Sequence, residues 1–103
     1  MAYKLIVTEK AEADLDGILR YIAVELDNRE GAAKLLDEIG ERYALLERNP
    51  LLYALCDQPL LRRGGYRKVI VGRYLMICHV DEQRREVFID RFFHDLQDYA
   101  DKL

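Results

Sequence analysis

The stretch from Gly65 to Val80 reads GYRKVIVGRYLMICHV. Two runs rich in β-branched and aromatic residues, Tyr66–Val71 and Tyr74–Val80, flank Gly72-Arg73. Such runs read as strands, and a glycine between them supplies the positive φ that a tight hairpin turn needs. The C-terminal half of the chain is therefore built on an antiparallel hairpin. Downstream, Asp81 to Arg85 is a polar turn. Glu86–Phe93 is a third β-like run, in which Val87, Ile89 and Arg91 alternate with Phe88, Asp90 and Phe92. Asp95 then has the chemistry to cap a short helix, with Asp98 three residues on and Leu96, Tyr99, Ala100 and Leu103 as packing residues.

Upstream of the hairpin the period changes. Leu51 to Arg63 follows no clear repeat, and its leucines suggest a loop lying on the core. Before it, Ala32, Leu35, Leu36, Ile39, Tyr43 and Leu46 recur at helical spacing. The sequence places the start of that helix at Asp27, with Glu30 in capping-box position, and its end near Arg48, ahead of Asn49-Pro50. Ala11, Leu15, Ile18 and Ile22 mark an earlier helix from about 9 to 26, capped by Thr8. Tyr3 to Val7 is a short first strand. Two amphipathic helices joined by a short turn form a helical hairpin, with Leu15, Ile18 and Ile22 expected to pack on Leu36, Ile39 and Tyr43. The order is β-α-α-β-β-β-α. That is an α+β fold in one domain, 1–103, with the helical hairpin on one face of a mainly antiparallel sheet.

The bulk numbers agree. A chain of 103 residues, half hydrophobic and one-third charged, can bury a core without disulfides or metal. No apolar run approaches the length of a membrane span, and the start MAYKLIVTEK is charged too soon for a signal peptide. Cys56 and Cys78 match no metal or redox spacing, so free thiols and a cytoplasmic location are expected. No nucleophile elbow, HExxH, P-loop or dinucleotide fingerprint occurs, and neither a metal nor a cofactor is expected. Asp14 and Asp16 read as solvated helix residues.

Charge is uneven. The net charge is −3, yet Pro59 to Val80 holds five Lys or Arg (Arg62, Arg63, Arg67, Lys68 and Arg73) and no Asp or Glu. Local charge dominates once distant charge is screened. Helices on one side leave the other sheet face partly open, where Tyr66, Lys68, Arg73, Arg91 and a histidine could gather. Cations beside aromatics suit a phosphate backbone and a stacked base. Two other readings stand beside this one: Lys and Arg protect strand edges from aggregation, and they pair with acidic partners. His79, within a strand, reads as a hydrogen-bonded structural group. His94, at a strand end, is open to either a cap-like or an acid–base role.

Four segments together resemble RelE/ParE-type toxins of bacterial type II toxin–antitoxin modules: YKLIVTEKAEADLDGILRYI, NPLLYAL, GYRKVIVGRYLMICHVD and VFIDRFFHDLQDY. The resemblance covers nearly the whole chain in the order derived above. It implies a growth-inhibiting cytoplasmic toxin neutralised by a cognate antitoxin, which itself contacts operator DNA. RelE-like members cleave mRNA on the ribosome without metal, whereas ParE-like members poison DNA gyrase by binding. For the cleaving branch, the resemblance implies Arg91, His94 and Tyr99 as catalytic residues and Arg67, Lys68 and Arg73 as phosphate-binding residues. One departure stands out. Cleaving members carry an arginine early in the third strand, where this chain has Leu75, with Arg73 two residues earlier as a substitute. mRNA cleavage is the first expectation, with gyrase poisoning or an inactive repressor subunit as alternatives.

Overall fold

A computed structural model describes residues 2–94. Chain order is β1 (Lys4–Val7), α1 (Glu9–Arg20), α2 (Arg29–Arg48), α3 (Pro59–Arg63), β2 (Arg67–Val71), β3 (Tyr74–Asp81) and β4 (Glu86–His94). The four strands form one sheet in the order β1-β4-β3-β2. The last three are antiparallel neighbours, as the hairpin reading requires, and β1 adds in parallel to β4 with Leu5 opposite Val87. The expected helix after Asp95, with Tyr99, lies outside the described residues.

Gly72 takes φ +59° at the β2–β3 turn, a conformation that costs glycine little. Thr8 caps α1 by accepting from the Ala11 amide at 3.2 Å. The helix does not run unbroken to residue 26: Tyr21–Glu25 forms one π turn, and Asp27 closes the corner at φ +46°. The cap of α2 therefore falls one residue later than expected, on Asn28, which accepts from the Gly31 amide at 2.9 Å. α2 ends at Arg48, before Asn49-Pro50. The supposed loop Leu51–Arg63 contains α3. Gln58 caps it through the Leu61 amide, and Pro59 takes the first turn, where its missing N–H costs nothing.

The sheet is covered on both faces, unequally. On the helical-hairpin side, Ile22, Leu35, Ile39 and Leu46 pack with Val69, Met76, Cys78, Val87 and Ile89. The expected seam is corrected in one place. Leu36 is exposed, and Leu35 and Leu46 take the buried positions beside Ile39. On the other side, Cys56 and Leu61 bury Ile77 and Phe93, with Tyr66 alongside. That face is therefore less open than the sequence suggested. Both cysteines are buried and unbridged. Among the described residues no helix is long and apolar enough to cross a membrane, and no cluster of metal-ligating side chains forms.

Candidate functional site

β1 is shorter than β4, and its pairing stops at Val7 opposite Ile89. Beyond that point β4 would have a bare edge. A bulge lies here, since Ile77 pairs with Arg91 and Cys78 with Ile89, which leaves Asp90 as the extra residue. α1 closes the gap with side chains. The Thr8 hydroxyl donates to the Asp90 carbonyl at 3.1 Å. Asp14 Oδ2 accepts from the Phe92 amide at 3.0 Å and from Arg91 Nε at 2.6 Å, while Oδ1 accepts from Arg91 Nη2 at 3.1 Å. Such a bidentate pair is strong and directional. The Asp14 hydrogen bond pushes the already high Arg91 value further up. Asp14 is thus a fixed partner of Arg91, not the solvated helix residue its sequence position implied.

Between α1 and the end of β4 runs a groove of about 460 Å³, whose walls include Gly17, Tyr21, Tyr74, Arg91 and His94. His94 pairs with Tyr74 across the strands, and their rings meet edge to face at 5.4 Å. The Arg91 guanidinium also stacks over Phe93 at 4.8 Å. Of the expected catalytic residues, then, Arg91 and His94 share one groove, and Tyr99 falls outside the described residues.

The expected phosphate-binding residues do not converge there. Arg67 and Lys68 are consecutive on β2, so their side chains leave opposite faces. Arg67 Nη1 donates to the Tyr53 carbonyl at 2.6 Å, tying down the loop before α3. Lys68 lies across from Ile77, on whose other side Arg91 stands. Arg73 sits in the β2–β3 turn, not on the strand, and borders a separate cavity of about 280 Å³ with Asn28 and Lys34. It therefore does not share Leu75's face. Leu75 is 6% exposed and pairs with Ile70 and Phe93, a position where a cation would be desolvated.

His79 has the structural role read from the sequence. Its Nδ1 lies 2.6 Å from Asp90 Oδ2, and its ring stacks on Phe88 at 4.7 Å with Tyr66 edge-on. Burial pushes the Asp90 carboxyl above its usual range, and the His79 bond draws it back. Sequence reasoning missed Asp14 and Asp90. Their partners are 77 and 11 residues away, so no local pattern reports them.

A family model described as the ParE toxin of type II toxin–antitoxin systems, parDE, matches residues 5–99. The chain belongs to the ParE toxin family. This ParE-family chain is similar to a solved structure of the chromosomal ParDE toxin–antitoxin system from P. aeruginosa, with 26% identity and a TM-score of 0.70, covering 90% of this chain and 96% of that one. It is also similar to the toxin–antitoxin complex RelBE2 from Mycobacterium tuberculosis, with 20% identity, a TM-score of 0.63 and coverage of 91% and 99%, a likeness of fold alone. No curated protein matches it. The ParE family and the RelE/ParE-like fold accord with the resemblance noted in the sequence.

Proposed function

We propose that this ParE-family chain is the toxin of a type II module, held inactive by a cognate antitoxin, and that it acts by binding DNA gyrase instead of cleaving RNA. The observation that carries the choice is the Asp14–Arg91 pair. Phosphoryl transfer from a 2′-hydroxyl needs cations aimed at the developing charge on the phosphate. In the described residues Arg91 is neutralised by a two-point carboxylate contact, Leu75 fills an arginine position with apolar volume, and Arg67, Lys68 and Arg73 diverge. A groove that is mostly apolar, edged by Tyr21, Tyr74 and His94, suits a protein surface better than a polyanion. The negative net charge points the same way, since nucleic-acid affinity is dominated by phosphate neutralisation.

The test is induction of the chain alone in a bacterial host, with pulse-labelling of DNA and protein. Gyrase poisoning gives an early fall in DNA synthesis with a DNA-damage response. An early fall in protein synthesis with cleaved mRNA overturns this reading and makes His94 and Arg91 the residues to substitute. Purified toxin should also inhibit gyrase supercoiling in vitro, and Tyr74→Ala in the groove should weaken that inhibition.

A further inference from the structure

β4 changes its neighbour at Asp90. Up to Ile89 it pairs with β1, and beyond Asp90 it lies against α1. A bulge bends its strand and re-aims the side chains that follow. Asp90 is the extra residue here, and it is held at two points. Its carbonyl accepts from the hydroxyl of Thr8, the cap of α1, at 3.1 Å. Its carboxylate accepts from His79 Nδ1 at 2.6 Å. The first contact comes from the α1 edge. The second comes from the sheet face that carries α3, because Cys78 points into the helical-hairpin core and the next residue along the strand points the other way.

The ring that reaches Asp90 is itself fixed. It lies 4.7 Å from Phe88 at an interplanar angle of 5°, and Tyr66 meets it edge-on at 5.6 Å. Facing a carboxylate, Nδ1 carries the proton and donates, so the bond holds whether or not Nε2 is protonated as well. The Asp90 side chain is 16% exposed, and burial pushes its carboxyl above the usual range. A charge so placed is a poor source of stability, since desolvation offsets its attraction. It is a good source of direction, since few arrangements satisfy it.

The ladder leaves that direction open. Phe92 pairs with Met76, Phe93 with Leu75 and His94 with Tyr74. Those pairings would be the same with Arg91 as the extra residue and Asp90 opposite Ile77. Backbone bonding alone therefore does not choose which of the two stands out of the ladder. In the observed arrangement Arg91 sits opposite Ile77 and reaches both oxygens of Asp14. In the other it is displaced from that place. The His79–Asp90 contact separates the two.

We propose that His79 is a positioning residue for the α1–β4 groove: through Asp90 it pins the bulge, which sets Arg91 on Asp14 and fixes the groove wall that ends in His94. A side chain on the α3 face of the sheet thus governs a surface at the α1 edge. The inference rests on the reading of that groove as the contact with gyrase, and it adds a residue that does not line the groove but on which the contact depends.

Two substitutions separate the donor from the ring. His79→Phe keeps an aromatic ring on Phe88 and removes the Nδ1 donor. His79→Asn removes the ring and places an amide N–H near the Nδ1 position. Both are made in the whole chain. Amide exchange at Phe92 and the Arg91 Nε–H signal in NMR report the bonds to Asp14, and inhibition of gyrase supercoiling reports the contact. Exchange at the Ile39 amide in the core of α2 measures overall stability. His79→Phe should speed Phe92 exchange on the order of tenfold beyond any change at Ile39, the weight of about one hydrogen bond. It should also shift the Arg91 signal and weaken gyrase inhibition, again on the order of tenfold. His79→Asn should bring all three back towards wild type. The reverse order assigns His79 to packing alone and overturns the proposal, as does equal behaviour of the two variants. If His79→Phe does not fold, Asp90→Ala against Asp90→Asn puts the same question, since Asn keeps an acceptor for the Nδ1 proton and Ala does not. Shifted signals with undiminished inhibition also overturn it, because the contact would then not depend on the bulge. A wild-type chain that leaves gyrase untouched refutes the gyrase reading, and the Phe92 and Arg91 signals then decide this inference by themselves.

Discussion

The two edges of this sheet are finished in opposite ways. At one, β1 runs out and α1 takes over its bonding, with Thr8 and Asp14 meeting the backbone of Asp90 and Phe92. At the other, chain before α3 covers β2 as far as Lys68 and then leaves Ile70 bare between cations. The first edge is sealed by two side chains, one of which, Asp14, also binds Arg91. The second is guarded by charge alone. A sealed edge contributes stability, whereas a guarded one contributes little and keeps backbone bonds available. The contrast suggests that the fold spends α1 on integrity and keeps β2 for contact.

The interior strand β3 sets the scale for both edges, because its backbone is paired on each side. Its Cys78 thiol is pushed from 9.0 up to about 12, chiefly by burial and then by Asp90. Tyr43, whose buried hydroxyl has no hydrogen-bond partner among the described residues, is likewise pushed up to about 12 by burial and then by Glu12. Both groups are neutral in the fold and ionise more easily when unfolded. Their contribution is therefore complete below the unfolded values and lost as pH rises towards the folded ones. Denaturant melts should show stability falling above about pH 9, by on the order of 4 kcal/mol from Cys78 once pH reaches about 12. Cys78→Ala should reduce that slope and leave the part due to Tyr43, whatever it does to stability at pH 7.

Next in size is the sealed edge. Asp14→Ala leaves the Phe92 amide and the Arg91 guanidinium without their acceptor, which should cost about 2–3 kcal/mol in a urea melt. Asp14→Asn keeps an acceptor for the amide and loses the charge, and should cost about 1 kcal/mol. If both variants melt like the parent, α1 is not sealing β4 and the contrast between the edges fails. The same pair sharpens the functional reading. If Asp14→Asn confers RNA cleavage, the carboxylate was masking a cleaving site.

How far these features could be read in advance follows from how local their causes are. Gly72 between two β-rich runs announced the hairpin, and Asn49-Pro50 announced the end of α2, because each signal lies within a few residues of its effect. α3 carried a readable mark as well, Gln58-Pro59 in cap and first-turn positions, which the unpatterned leucines around it obscured. The cap of α2 falls on Asn28, one residue after Asp27, because the π turn absorbs the difference. The parallel addition of β1 to β4, and Asp14 as the partner of Arg91, had no local mark at all. Both depend on contacts nearly the length of the chain apart. For the same reason the candidate site was half legible. The sequence marks Arg91 and His94, which share a groove, but it gives the carboxylate that governs Arg91 the look of a solvated helix residue, and it sets Arg67 beside Lys68 although a strand sends neighbours to opposite faces.

The smallest expected effect on stability bears most directly on the contrast. Ile70→Ala removes an exposed side chain at a point of the edge where no backbone bond leads outward among the described residues, so unfolding free energy should change by no more than about 0.5 kcal/mol. Val69→Ala, one residue away and fully buried, should cost about 1–3 kcal/mol, because it empties core volume against α2. Alternation along a single strand would then separate a residue kept for the core from one kept for the outside. A large loss at Ile70 would mean that the edge is already packed against something within this chain. In that case the cations around it would be stabilising a finished surface, and β2 would be no more available to a partner than β4.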